Sequence, residues 1–278
     1  MKRNQNKIEN LTILLYYHNM YLFTIEGNIG SGKSTFLASL KDNLKEVYGI
    51  PVIYIPEPVK EWEEIKSEDG KNMIELFYED QNKYAFSFQM MAYITRLHYL
   101  RQEIAKYPKC ILISERSLMA DYHVFAQMLY ESGNISLENY QIYKKWFWEF
   151  IKDIPVTGII YLKTSPELCF ERCTNRARKG ETISLEYLTT CSNMHEKWLE
   201  DDETPVRHLY NNTEEEIENV EMFIKSEIDE LKENDVDYDT LPLPTITQLA
   251  STFALFVVII GYLFRLYGMT VLHVKVLQ

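Results

Sequence analysis

The chain has 278 residues, of which 46% are hydrophobic and 25% charged. That balance excludes a disordered or fibrous protein and supplies enough apolar mass for a sizeable core. The 29 Lys and Arg against 41 Asp and Glu give a formal charge of −12. This argues against a nucleic acid polymer as partner, while leaving room for a small anion in a locally basic pocket.

In chain order, residues 1–20 read as an N-terminal extension. They start basic but hold only a short apolar run, Leu11 to Tyr17, with no small-residue cleavage site, and their composition is not that of a mitochondrial transit peptide. Tyr21 to Ile25 (YLFTI) predicts a strand, followed by a Gly-rich turn and a helix from Lys33 to about Val47. Pro51 to Ile55 is a second strand, closed by Pro56 and Pro58. Asn72 to Lys106 has helical spacing throughout. Cys110 to Ser114 (CILIS) is apolar enough for a strand covered on both faces. Helices are expected at Leu118 to Tyr130 and Leu137 to Ile151, a fourth strand at Val156 to Leu162, helices at Pro166 to about Arg178 and Leu185 to Leu199, and a fifth strand at Thr204 to Tyr210. An acidic helix follows at Glu214 to Lys232, then a linker at 233–245. Strands alternating with helices at these lengths predict an α/β fold of three layers, a parallel five-stranded sheet covered by helices.

The end of the chain differs in kind. Thr240 to Phe264 carries no charge, and residues 246–264 are almost wholly apolar. At helical rise they reach roughly 28 Å, enough for a hydrocarbon core. The segment reads as a membrane anchor or a docking helix, followed by a short tail at 265–278. Arg265, His273 and Lys275 follow it while acids precede it. The positive-inside bias therefore favours a cytosolic C-terminus, at odds with a cytosolic main domain, and orientation stays open. Four cysteines without CxxC spacing point to a reducing compartment. The expected location is cytoplasmic, with membrane association through 246–264.

Gly27-Asn28-Ile29-Gly30-Ser31-Gly32-Lys33-Ser34-Thr35 fits GxxxxGK[ST], and it stands between a strand and a helix, as a P-loop requires. The glycines let backbone N–H groups turn inward around phosphate oxygens, and the helix N-terminus adds its positive dipole end. Lys33 would reach the β- and γ-phosphates of a nucleotide, and the Ser34 hydroxyl would help hold Mg²⁺. Two further sets of polar residues stand just past strand ends, where an open α/β sheet faces its ligand. They are Glu57, after the second strand, and Glu115-Arg116-Ser117, after the third. Carboxylates and an arginine beside a P-loop suggest phosphoryl transfer, one carboxylate taking a hydroxyl proton and Arg116 balancing charge. Four basic residues lie in the eight from Arg172 to Lys179. Their place suggests a flap over the transferring phosphoryl group.

Together, Gly27 to Thr35, Glu57-Pro58-Val59 with Trp62, Phe88-Gln89, Glu115-Arg116-Ser117, the Arg172/Arg176/Arg178 cluster and Leu185-Glu186-Tyr187-Leu188 resemble the deoxynucleoside kinases, most closely their deoxycytidine/deoxyguanosine kinase branch. The resemblance covers about Tyr21 to Tyr210 and places a kinase domain at 21–232. It implies transfer of the ATP γ-phosphoryl group to a deoxyribonucleoside 5′-hydroxyl. In this reading Glu57 is the general base, Arg116 binds the hydroxyl region, and Glu115 supports the metal. Gln89 pairs with the base edge, Phe88 and Phe125 stack near the base, Trp62 lines the pocket, and Tyr78 and Glu181 hold the 3′-hydroxyl. Arg172, Arg176 and Arg178 form the lid. Arg96 and Asp121 match a pair associated in that branch with cytosine and purine substrates. A homodimer is implied as well. On the residues alone, Trp62, Phe88 and Phe125 read as ordinary core packing rather than as a ligand site. Two rivals stay open: a nucleoside monophosphate kinase such as thymidylate kinase, and a catalytically silent membrane-associated subunit of the same fold.

Overall fold

The computed structural model describes residues 20–152, 154–210 and 213–234. The segment at 246–264 and nearly all of the N-terminal extension lie outside them. Among the described residues no helix is long and apolar enough to cross a membrane.

The sheet has strands β1 (Met20–Glu26), β2 (Glu46–Val47), β3 (Ile50–Ile55), β4 (Cys110–Glu115), β5 (Gly158–Leu162) and β6 (Val206–Leu209), in the order β2-β3-β4-β1-β5-β6. Five of them run parallel, as expected. The sixth is a correction to the five-stranded expectation. β2 pairs antiparallel with β3, Val47 opposite Ile50, across a two-residue turn in which Tyr48 (φ 55°) and Gly49 (φ 71°) are both left-handed. That is the turn whose twist suits a tight hairpin. It ends the preceding helix at Asn43 rather than Val47.

Helices α1 (Lys33–Asn43), α2 (Val59–Glu64), α3 (Met73–Glu79) and α4 (Gln81–Lys106) come next. The single helix expected over Asn72 to Lys106 is two, because Asp80 leaves helical geometry (φ −148°) and its side chain accepts from the Lys83 amide to start α4. Asn72 and Glu75 cap α3 reciprocally, each side chain accepting from the other's backbone N–H. After β4, α5 (Leu118–Ala120) passes into a π-helical stretch, Asp121–Ala126, and then α6 (Gln127–Glu131). The remaining helices are α7 (Leu137–Ile151), α8 (Pro166–Arg176), α9 (Leu185–Asp201) and α10 (Glu214–Asn234).

Successive strand residues face opposite layers. Leu22 and Leu112 pack with Tyr93 of α4 and Phe147 of α7. Their neighbours Phe23, Ile111 and Ile113 pack with Phe36 of α1 and Ile224 of α10. Because β3, β4, β1 and β5 are parallel neighbours, their C-terminal ends open along one edge. All four cysteines are free and buried.

Candidate active site

Past the end of β1, the chain turns through Gly27 (φ 145°) and Gly30 (φ 80°) into Gly32 (φ 102°), which precedes α1. A Cβ at Gly30 would stand 2.5 Å from the Cys169 carbonyl oxygen, and one at Gly27 2.7 Å from that of Leu162. Only glycine fits either place. Lys33 Nζ donates to the carbonyls of Gly27 (3.1 Å) and Asn28 (2.7 Å) across the loop. The Asn28 side chain donates to Leu188 O of α9 and accepts from the Ile29 amide, so it shapes the loop from behind. Burial, then the Arg116 charge, pulls the Lys33 ammonium down to about 8, and Glu57, Glu115 and Glu26 recover only part of that shift. A phosphate anion at this loop would supply the missing counter-charge.

Beyond β3 and β4 the polar groups converge. Ser34 Oγ donates to Glu115 Oε1 at 2.6 Å. Arg116 is held in the left-handed region at φ 66°, a conformation that costs a non-glycine residue about 1–3 kcal/mol and persists only where neighbours enforce it. Here its amide donates to Ile25 O, its carbonyl accepts from Ser114 Oγ, and the next amide, of Ser117, donates to the buried Glu26 carboxylate at 2.7 Å. The guanidinium lies 4.5 Å over the Phe125 ring and donates to Gly27 O, with Nε 3.4 Å from Glu57 Oε1. Glu57 Oε1 also pairs with Arg96, whose other terminal nitrogen pairs with Asp121. Burial alone would raise the Glu57 carboxyl. Arg96, then Arg116 and Lys33, outweigh it and hold the group down at about 2. Burial lifts Asp121 to about 6 against the pull of Arg96 and Arg116, and its Oδ2 has no hydrogen-bond partner.

These groups border one cavity of about 1020 Å³, room for two small ligands. Its deep end is aromatic. Phe77 and Phe88 stack at 4.5 Å between centroids, and Trp62 meets Phe88 edge-on at 5.7 Å. Gln89 donates from Nε2 to the Asp121 carbonyl at 3.0 Å. The π-helical stretch widens the helix where Asp121 and Phe125 both turn to the cavity, a distortion common at functional sites.

On the opposite wall, Arg172 of α8 donates to Ser31 O at 2.9 Å. Arg176 and Arg178 both reach the Glu181 carboxylate, which is nearly wholly buried. Burial and then Glu181 push the Tyr78 hydroxyl well above its ordinary range. The loop after α8 rests on α3, with Lys179 paired to Glu75 and no room at Gly180 for a Cβ beside Glu75.

Every residue given a role in the site from the sequence lines this cavity except Gly27 and Asn28, whose contacts lie behind the loop; of the other motif residues, Tyr187 lines it and Ser117 and Lys179 do not. Trp62, Phe88 and Phe125 both line it and pack into neighbouring core clusters, so the two readings of them are compatible. Further lining residues carried no motif: Phe77, Lys163, Leu168 and Tyr210. Glu26 and His195, buried behind Arg116, were likewise without a sequence signal. Glu26 closes the β1 strand and could have been read from its place one residue before the phosphate loop.

A family profile described as deoxynucleoside kinase matches residues 23–233. Among relatives, a probable deoxycytidine kinase of Fowlpox virus (strain NVSL) is 38% identical over 200 residues, covering 70% of this chain and 77% of the relative. The mitochondrial deoxyguanosine kinase of Xenopus laevis is 33% identical over 223 residues, covering 70% and 82%. The deoxycytidine kinase of Homo sapiens is 34% identical over 197 residues, covering 63% and 74%. A match over most of the chain, joined to a phosphate loop that shares its cavity with an acid and an arginine, leaves neither rival standing. The chain belongs to the deoxynucleoside kinase family and is an enzyme that phosphorylates deoxynucleosides with ATP as donor.

Proposed function

We propose that the chain acts on deoxycytidine and deoxypurine nucleosides, and that Glu57 takes the proton from their 5′-hydroxyl. The observation that carries the substrate class is the buried Arg96–Asp121 ion pair on the cavity wall, with Asp121 Oδ2 left without a hydrogen-bond partner. A buried carboxylate oxygen left without a donor suits the exocyclic amino group of cytosine, adenine or guanine. It repels the carbonyl oxygen that thymine carries at that edge. Phe88 and Phe125 offer ring faces, and stacking adds about 1–3 kcal/mol for any base. Gln89 adds a neutral amide to read the edge. Tyr78 and Glu181 are set to hold the sugar 3′-hydroxyl.

Both ion pairs of Glu57 run through Oε1, which leaves Oε2 to accept the proton. As it leaves, the O5′ lone pair forms the bond to Pγ, the bond from Pγ to the β,γ-bridging oxygen breaks, and ADP departs with that electron pair. Arg116 orients the attacking oxygen, while Lys33 and the Arg172, Arg176 and Arg178 lid take up the charge spread over the phosphoryl oxygens. The Ser34 hydroxyl and the Glu115 carboxylate, in contact at 2.6 Å, are hard oxygen donors of the kind Mg²⁺ prefers and would hold it against the phosphates. Bound there, Mg²⁺ would neutralise phosphate charge.

The chain is proposed to work as a homodimer through α4 and α7. Ile94 of α4 and Ile142 and Trp146 of α7 are large, apolar and exposed, a feature that suits a self-complementary face.

The test is a panel of four deoxynucleosides and deoxycytidine monophosphate with ATP and Mg²⁺. Deoxycytidine and the deoxypurines should be turned over, with thymidine and the monophosphate poor. Arg96→Met combined with Asp121→Ala should shift relative kcat/KM toward thymidine. Unchanged relative values across the panel would refute the role of the pair.

A further inference from the structure

His195 sits on α9, wholly buried, behind the arginine that faces the acceptor hydroxyl. Its two ring nitrogens have different neighbours, and chemistry fixes what each can be. Nδ1 is 2.7 Å from the Cys191 carbonyl oxygen. A carbonyl only accepts, so Nδ1 carries the proton. Nε2 is 3.5 Å from Arg116 Nη1. A guanidinium only donates, so Nε2 presents its lone pair. The ring is thus a neutral imidazole locked in one tautomer. The charges that face it, Arg116 from the end of β4 and Lys33 from the phosphate loop, are both positive. With burial they press its pKa down to about 3. Tyr161 of β5 stacks beside the ring and Phe125 meets it edge-on, which fixes its plane.

We propose that His195 is a positioning residue for phosphoryl transfer: its Nε2 accepts from Arg116 Nη1 and thereby aims the guanidinium at Glu57 and the acceptor hydroxyl. The other two nitrogens of Arg116 are already directed, Nη2 donating to Gly27 O and Nε lying toward Glu57. The ring face below it is Phe125. Without an acceptor on the Nη1 side, a buried N–H loses its partner, and the side chain gains by turning away from Glu57 to find another. The backbone at Arg116 is already strained at φ 66°, so the side-chain contacts carry the remaining control of its direction. The same helix also accepts from Asn28 of the phosphate loop through Leu188 O, so one rigid element sets both the loop and the arginine.

This rests on the reading of Arg116 given above, and the experiment separates the two. His195→Leu, His195→Gln and Arg116→Lys are compared with wild type for kcat, for KM of deoxycytidine and ATP, and for melting temperature. His195→Leu should lower kcat by about tenfold or more, the scale of one hydrogen bond to a charged group, with the ATP KM little changed. His195→Gln should recover most of that loss, because its Oε1 can stand where Nε2 stood. A ring that only fills space would give the opposite order, since leucine suits an apolar site better than a buried amide. That order, or wild-type kcat in His195→Leu, overturns the proposal. Wild-type kcat in Arg116→Lys overturns the reading of Arg116 and the proposal with it. Nitrogen-15 NMR of histidine-labelled wild-type protein tests the tautomer with no variant: Nδ1–H with an unprotonated Nε2 from pH 5.5 to 8.5 is expected. A protonated Nε2, or a ring that titrates in that range, overturns it.

Discussion

Glu57 stands between two guanidinium groups, and that placement shapes its chemistry. Arg96 and Arg116 keep the carboxylate charged at every working pH, which secures the basic form at the expense of base strength. Arg96 is the larger of the two influences. Replacing it by methionine leaves burial as a stronger upward push, so the Glu57 pKa should rise from about 2 into or above the ordinary carboxylate range near about 4. The acid limb of kcat/KM against pH then moves to higher pH, because more enzyme carries protonated Glu57 at a given mildly acidic pH. A profile of unchanged shape in Arg96→Met would contradict this account of the site's electrostatics. Much of the site was legible at this scale. The phosphate loop is a local pattern with fixed spacing, and Glu57 and Arg116 follow strand ends that hydrophobic runs reveal. The link from Arg96 to Glu57 joins residues 39 apart, and the one from Arg116 to His195 spans 79. No local pattern encodes either.

At the scale of elements, boundaries were readable where a capping residue or proline marks them. The helix at Leu137–Ile151 starts after Ser136 and that at Pro166–Arg176 after Ser165, each serine capping it. They were hidden where backbone geometry decided. The turn at Tyr48-Gly49 lacks the usual Asn-Gly or Asp-Gly signal, so the hairpin went unseen. Side-chain spacing does not tell a π-helical turn at Asp121–Ala126 from an α-helical one. Packing inside the sheet makes its own prediction. Gly158 lies in β5, where a Cβ would stand 2.9 Å from both Phe223 and Phe23, an edge-to-face pair at 5.9 Å. Gly158→Ala should destabilise the fold by about 1–3 kcal/mol through overpacking. Thermal melts should show a drop of roughly 2–4 °C per kcal/mol. The kcat of the folded fraction should hold, since the strand meets the cavity at Leu162 instead. A stable variant with impaired turnover would contradict that division of labour.

Across the whole molecule, the parallel order β3-β4-β1-β5 accounts for function most directly. It gathers Glu57, Glu115, Arg116 and the phosphate loop along one sheet edge, although the sequence separates them by up to about ninety residues. The proposed dimer face on α4 and α7 lies outside the residues that line the cavity. Trp146→Glu should therefore lower the mass seen by analytical ultracentrifugation from dimer to monomer while ATP still protects against thermal unfolding. A wild-type mass that already matches one chain would contradict the dimer. The central claim concerns the acid facing the phosphate loop, and Glu57→Gln with deoxycytidine, ATP and Mg²⁺ tests it most directly. The predicted result is a fall in kcat of about 10²-fold or more while deoxycytidine still binds within a few-fold of wild type by calorimetry. A kcat near wild type would contradict the account.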